Sequence, residues 1–390
     1  MNIKYAFHPE EYEVGQNEKY YADMARKGWF LKKRGAYLSR FEKGQPENVK
    51  YRIEFSVCSP LEGGPGLPED QIALYEECGW TYVTSVGYVN VFCAPENSDA
   101  PEFYTDPKQQ AFTLKALRRS YRFSWIPIVL VLLMYFIIGA SISGSLEETL
   151  RDWDTEIRIA WVRATQVSLL WAVLLLQVIY QLGRGAVCTA LLYRKLKRGQ
   201  PIDHSPSRRP VFHRAVQYTL RGLICVLLLL TVLLFVGMEE YAMPEQADGP
   251  YLTLADLGVQ AERGTDILGN SSTVQTARSL AAEQWDAREF AQDALGKDVW
   301  MYQDVYRMHT PAQALRFARV LMEDSTFARS AQSFKSLSIE GLDAAWCAAL
   351  ESVAVRGSTV WYITYSGGYE EAQRLVPLNT LAQMEWKVVQ

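Results

Sequence analysis

Residues 220–238, LRGLICVLLLLTVLLFVGM, decide how this chain is read: they hold no acid, no lysine and a single arginine near one edge. A helix of about 20 predominantly apolar residues spans the ~30 Å hydrocarbon layer of a bilayer. Two further apolar runs, 123–143 and 159–182, have similar length. Outward from these runs the charge alternates. Lys115, Arg118, Arg119 and Arg122 precede the first run, and Glu147, Glu148, Asp152, Asp154 and Glu156 follow it. The second is followed by Arg184, Arg194, Lys195, Lys197, Arg198, Arg208, Arg209 and Arg214; the third opens into Glu239, Glu240, Glu245 and Asp248. Short Lys/Arg-rich loops stay in the cytoplasm. The expectation is therefore three transmembrane α-helices (123–143, 159–183 and 220–238) and a basic cytoplasmic loop over 184–219. The N-terminus is expected in the cytoplasm and the C-terminus outside, in a plasma membrane.

Removing the runs and the basic loop leaves about 110 residues before them and about 140 after, each within the ~50–200 residue range of a domain with its own core. The formal net charge of −4 is unevenly distributed, since from Glu239 onward acids exceed bases by nine. The basic residues crowd at membrane edges beside an anionic leaflet, which predicts the lipid bilayer as a partner and no nucleic acid. The first eight residues lack a charged-then-apolar signal pattern, so insertion is expected to begin with an internal run. Of six cysteines, Cys58, Cys78 and Cys93 precede the runs, Cys188 and Cys225 lie near or in them, and Cys347 stands alone beyond. No C-x-x-C occurs, so buried or bilayer-embedded thiols are the reading, and the outer domain must rely on packing.

The first hundred residues repeat. Met24-Ala25-Arg26-Lys27-Gly28-Trp29 is followed by Tyr37 and Phe41, and Tyr75-Glu76-Glu77-Cys78-Gly79-Trp80 by Tyr88 and Phe92, at identical offsets. Each copy reads as a helix stopped by glycine, then extended chain with alternating apolar residues. The helices are expected at 17–27 and 69–78, the extended parts at 3–7, 29–41, 49–57 and 81–92, with Gly35 and Gly87 at turns or bulges. That order predicts an α+β cytoplasmic domain over 1–110, a two-layer sandwich built from a degenerate helix-strand repeat. Trp29 and Trp80 read as core aromatics at the helix-to-strand corner; the sharper alternative is an exposed pair serving a protein partner. The glycine-rich 61–68 insert lacks the Lys-Ser/Thr of a phosphate-binding loop.

The strings Met24 to Leu31, Phe41-Glu42-Lys43-Gly44, Tyr51-Arg52-Ile53 and Glu77-Cys78-Gly79-Trp80-Thr81-Tyr82-Val83 resemble the bacterial domain-of-unknown-function family 2812 over roughly residues 1–95. Tyr20-Tyr21-Ala22 departs from the aromatic-plus-leucine pair expected in the first helix. The resemblance implies a bacterial membrane protein with this domain ahead of its spans. It also implies a gene neighbourhood with PadR-type transcriptional regulators. It brings no catalytic residues.

Within the second run Gln177 and Gln181 stand four apart on one helix face, the spacing of amides that bond a neighbouring helix; a solute path is the alternative. Arg163 and Arg184 are near enough to the ends to snorkel, and Trp125 and Trp161 read as interfacial anchors. Beyond residue 250 the pattern predicts an α+β extracytoplasmic domain over 250–390. Its helices are expected at 272–293, 311–324 and 368–375, and its strands at 299–306, 334–339, 344–355 and 359–365. His309 has no partner at metal-ligand spacing, Cys347 has no neighbour to activate a thiolate, and Asn270-Ser271-Ser272 is a sequon expected to be without consequence.

Neither catalytic, cofactor-binding nor metal residues emerge, so an enzyme is not expected. The layout predicts a signalling or adaptor protein that couples an outer domain, of unknown ligand, to a cytoplasmic protein partner. Regulation in the manner of an anti-sigma factor shares that layout. The alternatives are a structural or assembly subunit of an envelope or transporter complex, or an envelope enzyme, which would need a convergent polar site.

Overall fold

The computed structural model describes residues 2–56, 66–103, 106–131, 133–134, 146–205, 210–266, 268–293, 296–325, 327, 331–370 and 373–384. The chain divides into two compact units, Met1–Met134 with Leu175–Thr219, and Tyr135–Leu174 with Leu220–Gln390.

The first unit runs β1 (Ile3–Phe7), α1 (Val14–Arg26), β2 (Trp29–Arg34), β3 (Leu38–Lys43), then β4 (Val49–Phe55), α2 (Glu69–Glu77), β5 (Thr81–Val86), β6 (Val89–Pro95). The repeat is thus a twice-used β-α-β-β module. Strand order is β1-β3-β2 in one copy and β4-β6-β5 in the other, and every pairing is antiparallel. Gly28 and Gly79 end the two helices at φ +76° and +89°, a left-handed conformation that glycine reaches without a Cβ clash. The ladders then slip at matching positions, Leu31/Lys33 and Tyr82/Thr84. The bulges therefore fall at Lys32 and Val83, each three residues after its tryptophan, while Gly35 and Gly87 serve the hairpin turns.

One sheet covered on one face was expected; two three-stranded sheets are found. α1 packs on the face bearing Leu31, Phe41, Tyr51, Ile53, Val89 and Val91. α2 closes the other face of the second sheet through Tyr75, Trp80 and Phe92, since neighbouring strand positions point to opposite sides. A further helix, α3 (Pro107–Phe123), is capped by Asp106, whose carboxylate accepts from the Lys108 N–H at 2.9 Å. It buries Ala111, Leu114 and Leu117 in the same core, which also takes in Leu196. The core of this unit thus draws on residues well beyond the strands.

Three transmembrane helices do not stand. Among the described residues two helices are long and apolar enough to cross a membrane: α5 (Thr165–Lys197), and α6 (Pro210–Val236) from Ala215 onward. In the expected first span, 132 and 135–143 lie outside the described residues. The expected second span, 159–183, is divided. α4 (Leu146–Arg163) ends at a turn on Ala164, and only then does α5 begin. The cause lies in Ile159 and Val162, 3% and 8% exposed, which join the core of the second unit. Flanked by Glu156, Arg158 and Arg163, they form one apolar stripe, which suits packing on protein rather than lipid on all sides.

The second unit is a nine-stranded antiparallel sheet. Its strands are β7 (Glu239–Ala242), β8 (Ala261–Arg263), β9 (Thr273–Arg278), β10 (Ala282–Asp293), β11 (Asp298–Met308), β12 (Lys335–Leu337), β13 (Ala344–Ala348), β14 (Glu351–Arg356) and β15 (Thr359–Tyr365). They lie in the order β12-β13-β14-β15-β11-β10-β9-β7, with β8 paired to β10. The helix expected over 272–293 is therefore β9 and β10. Val274, Ala287 and Ala291 alternate onto one buried face, and the ladder with β11, from Ala282–Met308 to Gln292–Asp298, outweighs a weak helical preference. The short closing helix expected at 368–375 is found later, as α8 (Val376–Gln383). α7 (Pro311–Glu323), capped by Thr310, lays Phe317 and Leu321 on Tyr306, Val353 and Val360. The opposite face is closed by Tyr251, Leu252, Leu378 and Leu381.

Candidate functional site

On the face of the second sheet that carries α7, side chains form rows across β9, β10, β11 and β15. One row reads Gln275, Asp286, Asp304, Tyr362, and the next Thr273, Arg288, Tyr302, Thr364. α7 covers Tyr306 and Val360 of the preceding row and stops short of these two. Asp286, Arg288, Tyr302, Asp304, Tyr362 and Thr364 of these rows line an open cavity of about 310 Å³. Arg288 grips Asp286 with two bonds of 3.0 Å, the bidentate geometry that makes guanidinium–carboxylate pairs strong. Asp304 is held from outside the sheet: Arg163, at the end of α4, donates to it at 3.0 Å and to the Tyr306 hydroxyl at 2.6 Å. Burial raises the Asp304 carboxyl; Arg163 opposes the rise and Asp286 adds to it. Tyr362 donates at 2.6 Å to Glu351, which is 1% exposed and also accepts from Ser325 and the Phe327 N–H.

The turn between α4 and α5 is fastened to the same sheet. Gln284 donates to the Arg163 carbonyl at 2.8 Å and Ser279 to the Val162 carbonyl at 2.6 Å. At its other end α6 stops at Val236, and β7 begins at Glu239 and pairs with β9. A second cavity, about 350 Å³, lies between the sheet and these two helix ends. Its polar wall includes Arg163, Gln275, Arg278, Gln284, Asp286 and Asp304; its apolar wall is Val167, Leu234, Phe235 and Met238. Gln166 also lines it, is 6% exposed, and has a side-chain oxygen with no hydrogen-bond partner among the described residues.

The first unit has its own buried polar cluster. Glu18, 4% exposed, accepts from the Ile53 N–H at 3.0 Å and lies 2.9 Å from His204 Nδ1 and 3.5 Å from Arg52. Arg52 holds Glu102 through its Nε and Nη2, and this hydrogen bond keeps the Glu102 carboxyl below the usual range. The backbone of His204 and Ser205 crosses α1 at Gly15, where a Cβ would come within 2.6 Å of a carbonyl oxygen. Arg184 pairs with Glu13 and lies over the Tyr12 ring.

The residues singled out in the sequence fall partly as expected and partly otherwise. Arg163 and Arg184 are ion-paired within their own units, to Asp304 and Glu13. Trp80 is core, 2% exposed, donating to the Pro101 carbonyl at 2.8 Å. Trp29 is only half-buried, with Lys4 over its ring. Gln177 is buried with its side-chain oxygen unpaired, so no interhelical bond to that atom is seen among the described residues. Trp161 is 45% exposed. His309 bonds the Leu280 carbonyl, Asn270 bonds Asp266 in a turn, and burial raises the Cys347 thiol. Cys58 lies outside the described residues. No cluster of three or more metal-ligating side chains occurs among the described residues.

The row of Asp286, Arg288, Tyr302 and Asp304 went unread in the sequence. Its signal is alternation, Asp286-x-Arg288 and Tyr302-x-Asp304-x-Tyr306, which has meaning only once 282–293 is a strand.

No curated protein and no solved structure matches the chain. Residues 13–126 match the model of a family described as protein of unknown function, DUF2812. That segment begins at α1 and runs past the end of α3, the helix whose leucines complete the core. The chain therefore carries an N-terminal domain of the DUF2812 family.

Proposed function

We propose that the chain is a membrane-anchored signalling or adaptor protein, with the basic segment between α5 and α6 in the cytoplasm and its sheet-bearing C-terminal unit outside. Two apolar helices suggest membrane association. The orientation rests on charge: Arg194, Lys195, Lys197 and Arg198 end α5, while Glu239 and Glu240 follow α6, and basic segments remain inside.

The observation that carries the reading is the absence of slack at the helix ends. Only Ala164 separates the start of α5 from an arginine bonded to Asp304 and Tyr306. α6 passes into β7 across Gly237 and Met238 alone. At its far end α5 places Leu196, 0% exposed, in the core of the first unit. A rearrangement of the polar rows would therefore act directly on the ends of α5 and α6 that are fastened to this sheet. The cytoplasmic partner is a protein, and a transcriptional regulator of the PadR type is the one the family resemblance favours.

A reporter fusion at Gln200 should read inside and one at Gly258 outside. Crosslinking from the DUF2812 unit in native membranes should capture a cytoplasmic regulator, with a yield that changes in Arg163→Ala. Capture of envelope or transporter subunits alone would favour an assembly role, and turnover of a small molecule by the purified chain would defeat the proposal.

A further inference from the structure

The two β-α-β-β modules share a helix. The Tyr21 ring of α1 lies 6.3 Å from that of Phe41 in the first sheet and 5.7 Å from that of Tyr51 in the second. α1 therefore covers its own sheet and one face of the next, whereas α2 covers its own sheet alone. The stack ends in an open sheet face on one side and an open helix face on the other. Tyr5 stands opposite Arg40 as Ile53 stands opposite Val91, so the first sheet's open face corresponds to the face of the second that α1 covers. There Tyr51, Ile53, Phe55 and Val89 are buried; their counterparts Ile3, Tyr5, Phe7 and Leu38 are 42%, 65%, 51% and 42% exposed.

The polar half of the contact is missing in the same way. Glu18 of α1 accepts from the Ile53 N–H at the edge of β4, at 3.0 Å, and lies 3.5 Å from Arg52. Glu18 precedes Gly28 by the same ten residues as Glu69 precedes Gly79, and the counterparts of Ile53 and Arg52 are Tyr5 and Lys4. Asn2 and His8 bond β3 and its turn, so alternation along the ladder aims the Tyr5 N–H away from the sheet. Glu69 is exposed. Among the described residues it has no hydrogen-bond partner, the Tyr5 N–H has no acceptor and Lys4 has no carboxylate. α2 carries Glu69, Asp70, Glu76 and Glu77 without a base, while Lys33 adds a second unpaired cation to the open sheet face.

We propose that α2 of one copy docks on the first sheet of a second copy, repeating between chains the contact that α1 makes within one. Glu69 accepts from the Tyr5 N–H and pairs with Lys4, and Ala73 and Leu74 lie over Ile3, Tyr5 and Leu38. The two surfaces differ and every copy has both, so assembly continues into a ring or a filament instead of stopping at two chains. A sheet-to-sheet dimer would cover the same apolar side chains but leave α2 free. The inference goes beyond the signalling reading and does not depend on the membrane assignment.

The test is the mass of the full chain in detergent over a dilution series, read by light scattering. Particles larger than a dimer are expected. Glu69→Lys should raise the concentration needed for half-assembly at least about tenfold, in line with loss of one hydrogen bond to a charged group. Lys4→Glu should weaken assembly likewise, and the two substitutions together should restore it. Both side chains are exposed, so thermal unfolding should match the parent chain throughout. A monomer at every concentration, assembly that stops at a dimer and ignores Glu69→Lys, or no restoration in the double variant would each overturn the proposal.

Discussion

Asp286 and Asp304 stand directly opposite each other across β10 and β11, and each is neutralised by an arginine from a different part of the chain. Arg288 lies two residues along the same strand; Arg163 comes from the end of α4, far away in sequence. Like charges directly opposite in a sheet destabilise it, so this pair is tolerable only while α4 is docked.

Arg163→Ala should therefore destabilise the second unit. The side chains of Arg163 and Asp304 are 47% and 30% exposed, which places the cost nearer a surface pair than a buried one, about 1–2 kcal/mol. Thermal unfolding of the full chain should show it. Adding Asp304→Asn should recover part of the loss; a double variant no more stable than Arg163→Ala would mean that the carboxylates do not repel.

The two repeat tryptophans should part company. Trp80→Ala removes a ring that is 2% exposed and hydrogen-bonded, and should cost ~3–5 kcal/mol. Trp29→Ala, at a half-buried position, should cost less than half of that. Denaturant midpoints of the two variants decide the matter, and equal losses would contradict the unequal burial.

Truncation tests where the DUF2812 domain ends. A fragment ending at residue 105 lacks Leu114 and Leu117, which lie in the core at 0% and 1% exposure. It should bind hydrophobic dyes and aggregate, whereas a fragment extended to residue 124 should do so less. Equal solubility of the two would show that α3 adds no cover.

The second unit should also lose stability with rising pH through Asp324, at the end of α7. Burial, then the nearby Glu156 carboxylate, push its carboxyl up to about 6. A carboxyl raised on folding contributes fully below its unfolded value, near 4, and loses that contribution as pH rises through about 6. The residue is exposed, so solvent screening holds the effect to about 1 kcal/mol or less. Asp324→Asn should flatten the decline of melting temperature between pH 4 and 7, and parallel curves would remove Asp324 as its source.

Local signals in the chain were sufficient for the repeat. Gly28 and Gly79 each end a helix, and the tryptophan after each stands at or just before the start of a strand. Long-range pairing was not legible in the same way. The segment from Ser272 to Asp293 has few breakers and carries residues that suit either state, and only its ladder with β11 makes it extended. The Ile159 start of the second apolar run failed for a related reason. Hydropathy sums side chains without asking which face they share, and Ile159 and Val162 share the one that meets α7. The polar rows depended on both errors, since Asp304 becomes notable only when β10 and α4 are known to flank it.

The short passage from α6 into β7 has a rotational consequence. Only Gly237 and Met238 separate Val236 from Glu239, and each helical residue turns the chain by about 100°. One residue inserted just before Gly237 would turn the last turn of α6 by about 100° against the sheet and carry Leu234 and Phe235 away from it, whereas seven would nearly restore the angle while lengthening the helix by about 10 Å. Insertions of one to seven residues should therefore give a periodic pattern of thermal destabilisation of the second unit.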